Sequence, residues 1–294
     1  MNILVIGASG AQGGAVARRL VGSGHSVIGL TRTGAGLPDD VKPVIGDLAD
    51  ASAVRAAFDG VTHASVMLPM VYSAPVVDLY VRNIATAAAE AGVRRLVLNT
   101  GTRIPSEPTT VAAFETRRTA AATLAASGVP TVVLRPPVYL DNLCAPWVAG
   151  PLVHEGELRY PLPVHARVAW LCHDDLATAT VAALTQPLTT PSALSLDIGG
   201  PDVVTGPMLA AAFATVLGRP VRFVAQDVDE FEKALTHALG ASTAKGVAGT
   251  YRWVAENDGD VYGLNPAELE AALDIRLTRL HDWIAARPWH DLAL

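Results

Sequence analysis

Three glycines at a spacing of three, Gly7, Gly10 and Gly13, follow directly on the apolar run NILVI and precede a stretch of helix-forming residues. In that order the first glycine permits a tight turn and the second lets the backbone approach an anion. The third, Gly13 or its neighbour Gly14, lets the helix lie close against the strand. The helix N-terminus then offers unpaired N–H groups to a pyrophosphate, with Ser9, Ala11 and Gln12 completing the loop. The chemistry this predicts is dinucleotide binding.

A second residue bears on which dinucleotide. Arg32 closes the next strand-like run, SVIGLTR, at the place where an Asp or Glu would hold free ribose hydroxyls. Here a guanidinium stands between Thr31 and Thr33, a set suited to a 2′-phosphate. The expected cofactor is therefore NADP(H). Asp47, in IGDLAD, is placed to accept a hydrogen bond from the adenine amino group, while Asp50 is better placed to cap the following helix.

Positioning these residues requires a scaffold, and the pattern of the chain supplies one. Six strand-like runs (NILVIG, SVIGLTR, PVIGD, THASVML, RLVLNT, TVVLRP) precede residue 136, with helix-like stretches between them. Apolar strands alternating with helices imply an α/β fold with a doubly wound parallel sheet covered on both faces. After Pro136 the proline-rich stretch PPVYLDNLCAPWVAGPLVHEGELRYPLPV reads as irregular and lid-like. A helix near Asp175–Thr185 and a strand at SLDIGG return to the sheet, and VRFVAQ reads as a short strand in an otherwise mostly helical remainder. The expected division is a nucleotide-binding domain over 1–198, with a lid-like insert near 137–165, and a smaller substrate-binding part over 199–294, with a pocket between them.

Composition narrows the function classes. Of 294 residues half are hydrophobic and only 17% charged, which excludes disorder. A net charge of −6 argues against a nucleic-acid binder, because no basic patch is available to neutralise phosphates. Cys144 and Cys172 lack zinc spacing and read as two reduced thiols. MNILVIGASG has no basic n-region, and no stretch reaches the length of a membrane span, so a soluble, cytoplasmic protein without a membrane partner is expected. Serine-hydrolase, zincin and Walker motifs are absent, and no metal site is expected.

GASGAQGG, Arg32, GDLAD, ASGVPTVVLRPPVYLDNL, HDDLATATVAAL and GRPVRF after a GGP turn together resemble the NmrA-like family of atypical short-chain dehydrogenases/reductases, over most of the chain to about residue 225. The resemblance implies a Rossmann fold with NADP(H), and either reductase activity on small organic molecules or redox sensing without turnover. It would place further cofactor contacts at Leu48, Leu68, Pro69, Thr100, Pro137 and Val138. A homodimer is an expectation of the same kind.

The wider superfamily uses a Tyr-x-x-x-Lys pair on the helix after the fifth strand, Tyr moving the proton and Lys lowering its pKa and holding the nicotinamide ribose. Here that helix reads VAAFETRRTAAATLAASG, with Phe114 and Arg118 at the i, i+4 spacing. Phe cannot move a proton, and Arg cannot act as a base near neutral pH, although Arg118 can still bond ribose hydroxyls. Remaining proton donors are Tyr72, Tyr139, Thr100 and Thr102. Tyr72, Phe114, Tyr139, Asn142 and Trp147 are the candidate substrate contacts, with Asn142 ordering the segment over the pocket. Trp170, Tyr251 and Trp253 read first as packing, and His173-Asp174-Asp175 as the capped start of a helix rather than a metal cluster. The expected function is hydride transfer from NADPH to a small, fairly apolar acceptor (an enone, quinone, imine or ketone). The alternatives are an NADP(H) sensor and a non-redox enzyme that retains the dinucleotide.

Overall fold

The computed structural model describes residues 1–187, 193–257, 260–264 and 266–293. The first half of the chain alternates except where β2 runs through a loop straight into β3: β1 (Asn2–Ile6), α1 (Ala11–Gly22), β2 (Ser26–Thr31), β3 (Val41–Ile45), α2 (Ala51–Ala57), β4 (His63–Met67), α3 (Ala74–Glu90), β5 (Arg95–Asn99), α4 (Ala112–Ala125) and β6 (Thr131–Arg135). All six strand expectations are met. There follow α5 (Pro146–Glu155), β7 (Glu157–Tyr160), β8 (Val168–Ala169), α6 (His173–Thr185), β9 (Ala193–Asp197), β10 (Val203–Val204), α7 (Gly206–Leu217) and β11 (Arg222–Ala225). Helices α8 (Val228–Leu239), α9 (Ala241–Glu256), α10 (Pro266–Leu273), α11 (Leu280–Ala285) and α12 (Trp289–Leu292) complete the chain.

Two compact units arise. The first is Met1–Pro136 with Leu176–Asp197 and Leu273–Ile275; the second is Pro137–Asp175, Ile198–Ala272 and Arg276–Leu294. In the first, a seven-stranded sheet has the order β3-β2-β1-β4-β5-β6-β9, with every pairing parallel. Central strands are apolar on both faces because helices cover both: Ile3, Leu4 and Val5 are all fully buried. Among the described residues β3 pairs only with β2, and this edge position is where Pro43, lacking an N–H, is tolerated. The strand order reverses between β1 and β4, the switch point at which doubly wound sheets open a crevice.

The second unit is built around Trp170, Phe213, Tyr251, Trp283 and Trp289. Its strands form two small pairs, β7 with β11 parallel and β8 with β10 antiparallel. The proline-rich stretch is less irregular than its composition suggests, since it contains α5 and β7. Pro146 occupies the first turn of α5, where no N–H is required, and Gly156 ends the helix at φ 72°. Pro151 removes one internal hydrogen bond, but Val148, Ala149, Leu152 and Val153 are buried, and their packing outweighs it. Cys172 is buried and Cys144 half-buried, both as free thiols. Among the described residues no helix is long and apolar enough to cross a membrane.

Candidate functional site

The carboxyl ends of β1 to β4 frame a cleft of about 480 Å³ within the first unit. Its floor is the glycine loop. Gly7 has φ 86°, a left-handed value that side chains resist, and its carbonyl accepts the Gly10 N–H at 3.0 Å. A Cβ on Gly13 would lie 2.2 Å from the Gly7 carbonyl oxygen, so only glycine lets α1 come this close to β1. Helix α1 has Gly10 as its N-cap, no side chain bonded there and no acidic residue in its first turn. Its positive end therefore faces the cleft without a built-in anion.

The cleft is lined by Gly7, Ser9, Gly10, Ala11, Gln12 and Gly13 on this floor, by Thr31 and Arg32 at the end of β2, and by Asp47 and Leu48 after β3. Leu68 and Pro69, after β4, line the facing wall. The sequence expectation thus gathered residues from the ends of four separate strands that do meet around one cavity. The Thr31 hydroxyl accepts the Gly34 N–H and that of Thr33 accepts the Ala35 N–H, both at 3.3 Å, folding the β2–β3 loop back beside Arg32. Asp47 Oδ1 accepts the Ala49 N–H at 2.8 Å, while Asp50 caps α2 through the N–H groups of Ser52 and Ala53.

Three expected residues lie elsewhere. Arg118 is turned away from this wall: it pairs with Glu115 at 3.1 Å and donates to the carbonyls of Pro105 and Glu107 at 2.7 and 2.9 Å. Phe114 is fully buried and presents no surface to a ligand. The Thr100 hydroxyl is buried between the carbonyls of Thr102 and Leu134, at 2.7 and 3.1 Å, so its proton is committed to the backbone.

Pro137, Val138, Tyr139, Asn142 and Trp147 belong to the second unit. Tyr139 is buried with its ring edge-on to His173 at 5.0 Å, and its backbone bridges to Leu171. Asn142 donates to the Tyr160 phenol at 3.1 Å, which in turn meets the Tyr251 hydroxyl at 2.7 Å. Burial pushes the Tyr160 phenol up to about 12. Trp147 is exposed, whereas Trp170 and Tyr251 are core residues.

The carboxylate of Asp175 does not cap its own helix. It accepts from the N–H and hydroxyl of Thr278, both at 2.9 Å, while Asp141 accepts the His173 N–H at the start of α6. Among the described residues no cluster of three or more His, Cys, Asp or Glu could hold a metal ion.

Several contributors escaped the sequence reading. Asn99, at the end of β5, donates to Gln12 Oε1 at 2.9 Å, and Asn83 on α3 donates to the Leu48 carbonyl at 2.8 Å. Arg117, beside the expected Arg118, is buried and donates to the carbonyls of Pro69 and Val71 at 2.6 and 3.2 Å. Consecutive helical residues point about 100° apart, so the i, i+3 partner of Phe114 faces inward and the i, i+4 partner does not. Two adjacent arginines give no composition signal that tells them apart.

Fold and cleft together define a dinucleotide-type Rossmann protein. More narrowly, residues 1–284 match the NmrA-like family, and the chain belongs to it. It is 34% identical over 241 residues to a (4-alkanoyl-5-oxo-2,5-dihydrofuran-3-yl)methyl phosphate reductase of Streptomyces griseus subsp. griseus, covering 79% of this chain and 80% of that protein. It is 29% identical over 242 residues to an NAD(P)H azoreductase of Xenophilus azovorans, covering 80% of each. Among solved structures, NmrA, a negative transcriptional regulator in complex with NADP, superimposes with a TM-score of 0.77 over 98% of each chain. At 15% identity that last likeness speaks to the fold alone.

Proposed function

We propose that the protein is an NADPH-dependent reductase of a small, fairly apolar organic acceptor of the enone, quinone, imine or ketone class. The observation that carries this reading is a cleft at the sheet's switch point whose β2 end holds Arg32 where a carboxylate would select NAD. Identity of 29 to 34% with two proteins named as reductases supports the reaction type.

The residues present fit the coenzyme. The Gly7–Gly13 contact lets α1 start close against β1, and the helix N-terminus, which no side chain caps, supplies N–H donors and positive potential for a pyrophosphate. Arg32 would take the 2′-phosphate, Asp47 the adenine amino group, and Leu68 and Pro69 would flank the nicotinamide riboside. When bound, NADPH supplies a hydride. The chain's own part is to hold donor and acceptor in register and to keep water from the face of transfer. With Phe114 in place of a tyrosine and the Thr100 proton committed to the backbone, proton delivery from α4 and from the β5 end is removed. An acceptor carrying its own electron sink needs little such help. Burial pushes the Tyr72 phenol above its ordinary value, which keeps it protonated at neutral pH and able to donate a hydrogen bond.

A second reading, a non-catalytic NADP(H) sensor, draws on Phe114 and on the shared fold of the NADP-bound regulator. One experiment separates the two. Purified protein is incubated with NADPH and a panel of enones, quinones, imines, azo compounds and ketones, and the loss of reduced-nicotinamide absorbance is followed. Turnover of any member is the expected outcome. Tight binding with no turnover across the panel, and unequal affinity for the oxidised and reduced forms, would establish the sensor.

A further inference from the structure

We propose that Arg117 is a positioning residue for the nicotinamide half of the coenzyme, acting through the turn Pro69–Val71; the inference rests on the coenzyme reading above. The turn is short and tightly bonded. The Pro69 carbonyl accepts the Val71 N–H at 2.7 Å, closing a three-residue turn, and the same carbonyl accepts Arg117 Nη2 at 2.6 Å. Arg117 Nη1 reaches the Val71 carbonyl at 3.2 Å, so one planar guanidinium holds both ends of the turn. Leu68, Pro69, Met70 and Val71 all line the cleft.

A guanidinium in this place is costly to bury, which makes its presence informative. Arg117 is 5% exposed, and among the described residues no carboxylate forms a salt bridge with it. Its neighbours are the two carbonyls and the ring of Tyr72, whose centroid lies 5.3 Å from the guanidinium carbon. Burial pulls its pKa below the ordinary arginine range, yet arginine remains charged in proteins. Charge-assisted bonds to both carbonyls compensate the desolvation and fix which way those carbonyls point. Both carbonyls are thereby held towards Arg117 of α4.

The geometry also says which part of the coenzyme should feel the turn. Arg32 and Asp47, after β2 and β3, mark the adenosine end, and the N-terminus of α1 marks the pyrophosphate. Strand β4 lies on the other side of β1, so the part running past Leu68–Val71 is the nicotinamide riboside. An arginine that merely glued α4 to the β4–α3 loop would affect the whole cleft or none of it. A positioning arginine affects one half.

The test uses the full-length protein and two ligands, NADPH and 2′,5′-ADP, titrated by calorimetry against wild type, Arg117→Met and Arg117→Lys, with folding checked by circular dichroism. Loss of two charge-assisted bonds should weaken NADPH about tenfold or more in Arg117→Met, while 2′,5′-ADP stays within about twofold of wild type. Arg117→Lys, able to reach one carbonyl but not bridge two, should fall between, and it carries the comparison if the Met variant does not fold. Equal weakening of both ligands, or no change in either, overturns the proposal. A wild-type protein that binds 2′,5′-ADP but not NADPH also overturns it, whereas one that binds neither removes the coenzyme reading itself.

Discussion

The Nδ2 of Asn99 donates to Oε1 of Gln12 at 2.9 Å, while Oδ1 of the same side chain accepts the Gly101 N–H at 2.8 Å. A residue at the end of β5 thus holds a residue of the glycine loop and shapes the turn after its own strand. Asn99→Ala is expected to leave the Gly101 N–H unsatisfied and to cost about 2 kcal/mol of stability. It should also release Gln12 and weaken NADPH by a few-fold on the order of one lost hydrogen bond. Thermal unfolding and calorimetry on the same variant check both parts.

Arg32→Asp reverses the charge facing the 2′-phosphate. NADPH should weaken by about 100-fold, with NADH little changed or improved. Parallel titrations of the two coenzymes decide the matter, and an equal loss for both removes Arg32 from the phosphate site.

Gly13→Ala places a methyl group 2.2 Å from the Gly7 carbonyl oxygen, against backbone that cannot rotate aside. The helix must move off the strand. The expected loss is about 3 kcal/mol, within the range of severe overpacking. In a thermal shift assay the variant should melt earlier and show no stabilisation by NADPH. A melting temperature equal to wild type contradicts the packing described for α1 and β1.

The buried Tyr160 predicts an alkaline weakness. Its folded-state pKa of about 12 lies above the ordinary 10.0, so the folded protein keeps a proton that the unfolded chain gives up. The stability tied to this phenol is therefore complete below pH 10 and is lost as pH rises towards 12. Cys172, raised from 9.0 to about 12 by burial and by the Asp175 carboxylate, adds a loss of the same sign from pH 9 upward. Tyr160→Phe should cost about 1–2 kcal/mol near neutrality, because Asn142 and Tyr251 lose a partner. It should also flatten the decline above pH 10. Denaturant melts at about pH 7, 9 and 11, the last two about one unit either side of the phenol's ordinary pKa, distinguish this from a plain packing loss.

The sheet was legible because its first six strands centre on short apolar runs, four of them followed by a helix. The glycine loop was legible because its spacing has one physical use at a strand–helix junction. What stayed hidden depends on rotation about a helix axis or on polar side chains working across the sheet. Arg117 and Arg118 are indistinguishable in composition, and only the packing of α4 shows which one enters the protein. Asn83 and Asn99 act on residues far away in the chain, on Leu48 and Gln12, and no local pattern announces such partners. In the proline-rich stretch, residue types that usually break helices misled, because buried Val148, Leu152 and Val153 stabilise α5 around Pro151.

Strand β9 pairs with β6 in register, from Thr131 opposite Ala193 to Arg135 opposite Asp197, although residues 136 to 192 separate them along the chain. Arg135 and Arg103 both close on Asp197, at 2.8 and 3.0 Å, so the seam is ionic as well as hydrogen-bonded. A fragment ending after β6 would hold every residue of the glycine loop and still be an unfinished article, with an apolar rim of unpaired peptide groups open to self-association. Biosynthesis has the same constraint: a ribosome must deliver nearly 200 residues before the coenzyme-binding sheet can acquire its last member.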